Sequence, residues 1–450
     1  MIKMKKEFEE IISLIHEKKF HNAREKILEL NPVHISDIIE CLDISEAILV
    51  FRMLPKDMAV DVFNYLEKDF QTNIITGITD KEIKHIIEEI YFDDMIDLLE
   101  EMPANVVKKI LKYSNVEERK LINEFLNYPE DSAGSLMTIE YVDLKKDMTV
   151  KEAIAHIKET GVNKETIYTC YVIDKQRKLE GIISLRKLIL SDYDLLVEDI
   201  MKTDIVFVNT NYDQEYVANV FKKYDLLVMP VVDNENRLTG IITIDDIMDV
   251  IDKETTEDFQ KMAAMAPSEE KYLDTSVWTL AKNRLMWLVI LMISATFTGN
   301  IIKSFEDVLQ SVVILTAFIP MLMDTGGNAG SQSATLIIRS IALGEVEGKD
   351  TLKIIWKELR VSIIVGISLA VINFARIYYI EKTPFAVTLT VCITLFFTVV
   401  LSKIVGAILP LIAKKFKVDP AIMASPLITT IVDATSLIVY FSIAKLLMGI

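Results

Sequence analysis

Residues 425–441 read Ser425-Pro-Leu-Ile-Thr429-Thr430-Ile-Val-Asp433-Ala-Thr-Ser-Leu-Ile-Val-Tyr-Phe441, and the fold turns on how this stretch is read. With its flanks, from Ala421 to Leu447, it is long and apolar enough to cross a bilayer, which takes about 20 residues of helix. A carboxylate near the middle of such a helix costs roughly 2.5–3.5 kcal/mol on insertion scales, so Asp433 is a functional candidate by default. Ser425, Thr429 and Thr430 precede it, and Thr429 stands one turn away on much the same face. A carboxylate and hydroxyls on one helix face suit a hard, hydrated cation. The competing reading is an Asp paired with Lys403, or protonated and hydrogen-bonded within a helix bundle.

Working outward, four more stretches are long enough to span: Leu285–Ile302, Leu309–Met323 continuing past two glycines, Val361–Tyr379 and Phe385–Ile412. Five crossings put the chain ends on opposite sides. Ten basic residues flank one side (Lys282, Arg284, Arg339, Lys349, Lys353, Lys357, Arg360, Lys414, Lys415, Lys417) and four the other (Lys303, Arg376, Lys382, Lys445). By the positive-inside rule residues 1–275 are cytosolic and the C-terminus is outside, as in a multi-pass protein of the cytoplasmic membrane. The start, MIKMKKEFEE, has no apolar core, so no cleaved signal peptide is expected.

The second stretch carries Asp324, Gly326, Gly327, Asn328, Gly330, Ser331, Gln332 and Thr335 within twelve residues. Small residues permit close helix packing. Packing alone does not call for Asp324, Asn328 and Gln332 together, and a polar pore wall accounts for them better.

Charge divides the chain at the same boundary. Residues 276–450 hold 15 Lys and Arg against 10 Asp and Glu, net +5; the remaining 34 basic and 56 acidic residues leave 1–275 at −22. That surplus excludes nucleic acid as a partner. Acids crowd at Asp93, Asp94, Asp97, Glu100 and Glu101, and again at Asp245, Asp246, Asp249, Asp252, Glu254, Glu257 and Asp258. Such runs are ordinarily solvated faces, but together they repel one another unless divalent cations bridge them. Cys41, Cys170 and Cys392 are far apart and form no CxxC pair, consistent with reducing cytosol.

Residues 1–130 show apolar side chains three and four apart, broken at Asn31-Pro32, Pro55 and Pro103, which predicts a bundle or small superhelix of short helices. Residues 131–252 contain a duplication: Tyr171-Val-Ile-Asp174 and Leu179-Glu-Gly181-Ile-Ile-Ser184 recur as Pro230-Val-Val-Asp233 and Leu238-Thr-Gly240-Ile-Ile-Thr243. Both Asp174–Asp233 and Gly181–Gly240 are 59 residues apart, and Met137–Met201 is 64. These copies resemble a tandem pair of CBS domains, βαββα units that often sense adenosine nucleotides. The family's Ser/Thr-x-x-Asp nucleotide motif is matched by Thr243 and Asp246. The first copy has Ser184-Leu-Arg-Lys187 and lacks the carboxylate. A purely structural pair without ATP is the alternative.

The whole chain resembles the MgtE family of magnesium channels and transporters. The residues that carry the likeness are Tyr128-Pro-Glu-Asp-Ser-Ala-Gly134-Ser-Leu-Met137-Thr, the Gly326-Gly327-Asn328 segment with Gln332 and Thr335, and Asp419-Pro420 followed by Asp433. The resemblance implies four parts: an acidic, all-α N-terminal superhelical domain (1–130), an α/β tandem CBS pair (131–252), a connecting helix and juxtamembrane linker (253–275), and a five-helix transmembrane domain (276–450). It further implies a homodimer in membrane lipid, its pore between subunits and formed mainly by the second and fifth segments. Asp433 then sits at the ion site, Thr335 and the glycine stretch line the path, and Asp419 lies at the cytoplasmic mouth. Mg²⁺ is both substrate and regulator in this picture, bridging acids that hold the channel shut. Carried onto that role are Asp94, Asp97, Glu215, Asp225, Asp246, Asp249, Glu254, Glu257 and Asp258. Ser331 and Ser425 stand where some members have asparagine, and Asp324 and Lys403 are not general features of the family.

Other functions stay in view: import of Co²⁺ or Mn²⁺, or a CBS-regulated membrane sensor or enzyme. An enzyme lacks a visible nucleophile–base pair, since His16, His21, His34, His85 and His156 all lie outside the apolar third.

Overall fold

The computed structural model describes residues 2–111, 114, 116–268, 272–273, 275–423 and 425–449. It contains two compact units, Met1–Met248 and Asp249–Ile450.

Among the described residues of the first unit, ten short helices run from Ile2 to Phe125. Their starts are set by local chemistry. Asn31 caps the helix Pro32–Glu40 by accepting from Val33 N, and proline at its first position needs no N–H partner. Thr79 and Glu82 form a reciprocal capping box. The breaks expected at Pro32, Pro55 and Pro103 coincide with helix starts at Pro32, Lys56 and Ala104. Apolar residues one turn apart make the core, Ile11 with Ile15 and Ile35 with Ile38 and Ile39 among them. The eighth helix, Phe92–Glu101 (α1), buries Phe92, Met95, Ile96, Leu98 and Leu99.

The duplication becomes two three-stranded sheets. In the first, β1 (Val142–Leu144) pairs parallel with β2 (Thr169–Ile173), which pairs antiparallel with β3 (Leu179–Ser184). The second repeats this with β4 (Val208–Asn209), β5 (Val228–Val232) and β6 (Leu238–Thr243). Equivalent residues pair, Val172 with Gly181 and Val231 with Gly240, and each sheet has its register shift at the following residue. The lead-in segments are exchanged between copies. Thr138 bridges to Ile241 and Lys202 to Ile182. A Cβ on Gly181 would lie 2.5 Å from Met201 Sδ, and one on Gly240 2.9 Å from Met137 Sδ. The repeated Met and Gly are therefore partners across the pair. A helix follows in the second copy, Gln214–Tyr224 (α2). Another, Ile244–Met262 (α3), runs unbroken through the expected domain boundary at residue 252.

In the second unit five long helices follow: Val277–Ser304 (α4), Ile319–Ala342 (α5), Thr351–Ala375 (α6), Phe385–Lys415 (α7) and Ser425–Met448 (α8). Among the described residues, four spans are long and apolar enough to cross a membrane, covering α4, α6, α7 and α8. The second span, expected from Leu309 through Met323 and on past two glycines, starts later. Residues Glu306–Ser311 form a short helix and Val313–Phe318 a 3₁₀ segment, and the long helix begins only at Ile319. Pro320 fits the first turn, where its missing N–H is no loss. α7 is the central helix, burying Val391, Leu395 and Val399 against Leu437, Tyr440 and Phe441 of α8 and Leu322 of α5.

Candidate ion pathway and acidic regulator

α5 has two faces. Asp324, Asn328, Gln332 and Thr335 recur three or four residues apart and are exposed, with Ser331 half-buried beside them. Gly326, Gly327, Gly330 and Ser333 are buried on the other side. A Cβ on Gly406 of α7 would lie 2.2 Å from the Gly330 carbonyl oxygen, and one on Gly327 2.8 Å from Thr429 Cγ2 of α8. Gly326, Gly327 and Gly330, expected along the path, stand at helix crossings, where backbone without side chains lets α7 and α8 come close. The polar residues are left on the open face. On α8, Thr429 and Thr430 donate their hydroxyls to the Pro426 carbonyl, and the Ser425 side chain lies outside the described residues. Asp433 is half-buried on α8, while Asp324 is exposed on α5, so two helices of an apolar domain each carry a carboxylate.

Below them, Asp419 is already neutralised from within the chain. Its Oδ1 accepts from Ala421 N at 2.8 Å, and its Oδ2 accepts from Lys261 Nζ of α3 at 2.7 Å. Lys261 also reaches Glu257 at 2.6 Å. Burial and the Asp419 charge raise the Asp258 carboxyl above its usual range, while Lys261 and Arg339 oppose them. Met262, at the end of α3, packs against Ala334, Ile338, Ala421, Ile428 and Val432. The end of α3 is therefore seated on α5 and α8 by one ion pair and one apolar contact. Asp249 and Glu254 lie further up the same helix.

The first unit gathers six carboxylates from three places in the sequence: Asp93 and Asp94 on α1, Glu140 and Glu165 in the first CBS copy, and Asp245 and Asp246 at the start of α3. Lost hydration, and then the charges of Asp246, Asp94 and Glu165, hold the Asp93 carboxyl well above the ordinary range. Burial pushes Glu140 up to about 7, opposed by the Phe92 backbone N–H and Lys164. Burial and four neighbouring carboxylates push Glu165 to about 7. Asp246 rises to about 6 through burial, resisted by the Thr243 hydroxyl, which donates to it at 2.5 Å. One oxygen each of Glu140 and Glu165 is buried with no hydrogen-bond partner among the described residues. Among those residues, no three such groups converge on one coordination point.

The folded chain brings Asp94 and Asp246 within reach of each other's charge, together with Glu140 and Glu165, which the sequence did not single out. Neither lies in an acidic run, and no spacing signal marks them. The Asp97 side chain lies outside the described residues. Glu215 and Asp225 stand at opposite ends of α2, Asp225 in the left-handed region at φ 50°.

The expected nucleotide pair, Thr243 and Asp246, is hydrogen-bonded to itself within this acidic cluster, a poor setting for phosphate. An open cleft of ≈ 550 Å³ lies instead at the first copy, lined by Tyr168, Leu185, Arg186, Ile189, Leu190 and Leu227.

Comparison with known proteins matches family models to three regions of the chain. The MgtE divalent cation transporter domain matches residues 319–443, the MgtE intracellular N domain 30–131, and the CBS domain 133–193 and 197–253. The magnesium transporter MgtE of Thermus thermophilus is 35% identical over 429 residues, 94% of this chain and 95% of that protein. That of Bacillus subtilis is 35% identical over 434 residues, 96% of each. Among solved structures, the soluble part of a magnesium transporter matches with a TM-score of 0.51 at 32% identity, covering 56% of this chain and 99% of that one. The cytosolic domain of the Mg²⁺ channel MgtE in complex with ATP matches at 0.50 and 34%, covering 53% and 97%. With likeness running the length of both chains, this chain belongs to the MgtE family.

Proposed function

We propose that the chain is a Mg²⁺ importer of the cytoplasmic membrane, closed by Mg²⁺ on its cytosolic side. The carrying observation is that two helices packed on each other in an apolar domain, α5 and α8, each carry a carboxylate, Asp324 exposed and Asp433 half-buried. Such a pair is relieved by a divalent cation, and Mg²⁺, which gives up its waters reluctantly, would pass at least partly hydrated. Asn328, Ser331 and Thr335 stand on the same face of α5, with Thr429 and Ser425 one and two turns before Asp433 on α8. That face is open in the single chain, which supports a homodimer with the path between subunits, in membrane lipid.

With α5 taken as a crossing beside the four long apolar spans, the chain crosses five times, and the ten-to-four basic asymmetry then puts residues 1–275 inside and the C-terminus outside. Regulation follows from charge. Without cation, Asp93, Asp94, Glu140, Glu165, Asp245 and Asp246 repel; with Mg²⁺ they are drawn together, and the state that binds Mg²⁺ better is favoured by that difference alone. Asp97, Glu215 and Asp225, and in the second unit Asp249, Glu254, Glu257, Asp258 and Asp419, take part in the same regulation.

ATP, bound by the relative's cytosolic domain, fits the cleft at Tyr168 and Arg186, which offer a ring face and a guanidinium. Thr243 and Asp246 do not.

The test is flux of Mg²⁺, Ca²⁺, Co²⁺ and Mn²⁺ through reconstituted vesicles while Mg²⁺ at the acidic face is varied. Mg²⁺ flux falling as that Mg²⁺ rises is expected. Flux indifferent to it would refute cytosolic control, and preference for Co²⁺ or Mn²⁺ would reassign the cargo.

A further inference from the structure

α7 carries a lysine near its midpoint. Lys403 is 5% exposed, and an ammonium at that depth needs a partner, because stripping its water costs several kcal/mol. Its Nζ donates to Ser333 Oγ of α5 at 3.4 Å, and the same hydroxyl donates to Glu358 Oε2 of α6 at 2.7 Å. A serine hydroxyl has one proton and two lone pairs, so it can join a donor-only ammonium to an acceptor-only carboxylate. The result is a hydroxyl-bridged ion pair spanning α5, α6 and α7.

Ser333 belongs to the packed face of α5, following Gly326 and Gly330 at helical spacing. The rest of that seam offers little direction. Gly330 meets Gly406 backbone to backbone. Gly326 meets the Thr398 methyl and the Ser402 hydroxyl of α7, and the hydroxyls of both residues are buried with no partner among the described residues. A seam of small residues allows close approach but tolerates rotation, whereas a charge-assisted hydrogen bond is directional. The polar face of α5 has a function only if it is aimed.

We propose that Lys403 is a positioning residue for ion selection: through Ser333 and Glu358 it fixes the rotation of α5, and with it the aim of Asp324, Asn328 and Thr335. This rests on the reading of α5 as a wall of the path. The glycines let the helices touch; the bridged pair decides which way α5 faces.

The experiment uses the full chain in vesicles, with Mg²⁺ and Co²⁺ flux measured per folded protein. Lys403→Met, Glu358→Gln and Ser333→Ala each break the bridge and should change the Mg²⁺/Co²⁺ flux ratio by roughly threefold or more, as expected for groups coupled in one network. The double variant Lys403→Met/Glu358→Gln should shift it no further than either single change, since all break the same link. A role in stability alone lowers both fluxes equally and leaves the ratio where it was. Should Lys403→Met fail to fold, the uncharged double variant and Ser333→Ala carry the test. An unchanged ratio in those two overturns the proposal. Asp433→Asn separates the two ideas. Intact Mg²⁺ flux there removes the pathway reading itself, whereas lost flux there with an unchanged ratio in the Lys403 variants removes only the positioning role.

Discussion

Lys261 Nζ lies 2.7 Å from Asp419 Oδ2, joining the last turn of α3 to the acid that precedes α8. The same ammonium is 2.6 Å from Glu257. A cation tethered to the regulatory helix thus occupies the carboxylate assigned to the mouth of the path. Met262 adds an apolar anchor one residue further on.

Lys261→Gln removes that tethered charge and leaves Asp419, Glu257 and Asp258 facing one another. The pair is partly exposed, so its loss is on the order of 1 kcal/mol, or up to about fivefold in the open-to-closed ratio. Flux at low cytosolic Mg²⁺ should rise by a few-fold. Flux equal to the unmodified protein's at every Mg²⁺ concentration would show that the contact does not hold the closed state.

The raised carboxyls make the acidic cluster pH-sensitive in a defined direction. Glu140 and Glu165 sit at about 7 and Asp246 at about 6 in the folded state, above the ordinary carboxylate values. The folded chain therefore holds more protons than the unfolded one between roughly pH 4 and 7, and stability falls as pH rises through that window. Without divalent cations the melting temperature should be higher at pH 5.5 than at 7.5. Mg²⁺ competes with those protons, so it should raise the melting temperature more at pH 7.5 and release protons on binding near pH 6.5. Calorimetry in two buffers of different ionisation enthalpy measures the release; none at that pH would contradict the cluster as the Mg²⁺ site.

Gly406→Ala puts a methyl 2.2 Å from the Gly330 carbonyl oxygen, a backbone atom that cannot swing away. The helices must part, at a cost of about 1–3 kcal/mol. Gly299→Ala in α4 meets nothing within 4 Å and serves as the control. Thermal unfolding in detergent should separate the two; equal melting temperatures would deny the α5–α7 crossing.

Much of this was legible in the sequence, and the reasons are physical. The 59-residue repeat specified two equivalent sheets because the same strand pattern recurs, and the proline breaks marked helix starts because proline is tolerated at or just before a first turn and not in a helix interior. Asp433 stood out because a charge in an apolar run is costly. What the sequence hid was convergence. Glu140 and Glu165 are single acids without periodicity, brought to Asp93 and Asp246 only by folding. Glu358 lies in the first half of α6, before the apolar run from Val361 that marked the span, so the partner of Lys403 was not visible. The start of α5 was displaced because apolar content extends upstream of Pro320, where the chain turns instead of continuing as helix.

Deleting residues 1–260 removes the acidic cluster and most of α3 while leaving α4 to α8. Mg²⁺ flux should persist and no longer fall as cytosolic Mg²⁺ rises. Retained closure would place the sensor within the membrane domain.

The most direct measurement is Mg²⁺ uptake by Asp433→Ala in cells lacking other Mg²⁺ importers, with membrane expression verified. Uptake falling to the level of cells without the protein is the predicted result, since Asp324 alone no longer forms a two-carboxylate site. Undiminished uptake with normal expression would contradict an ion path through α5 and α8.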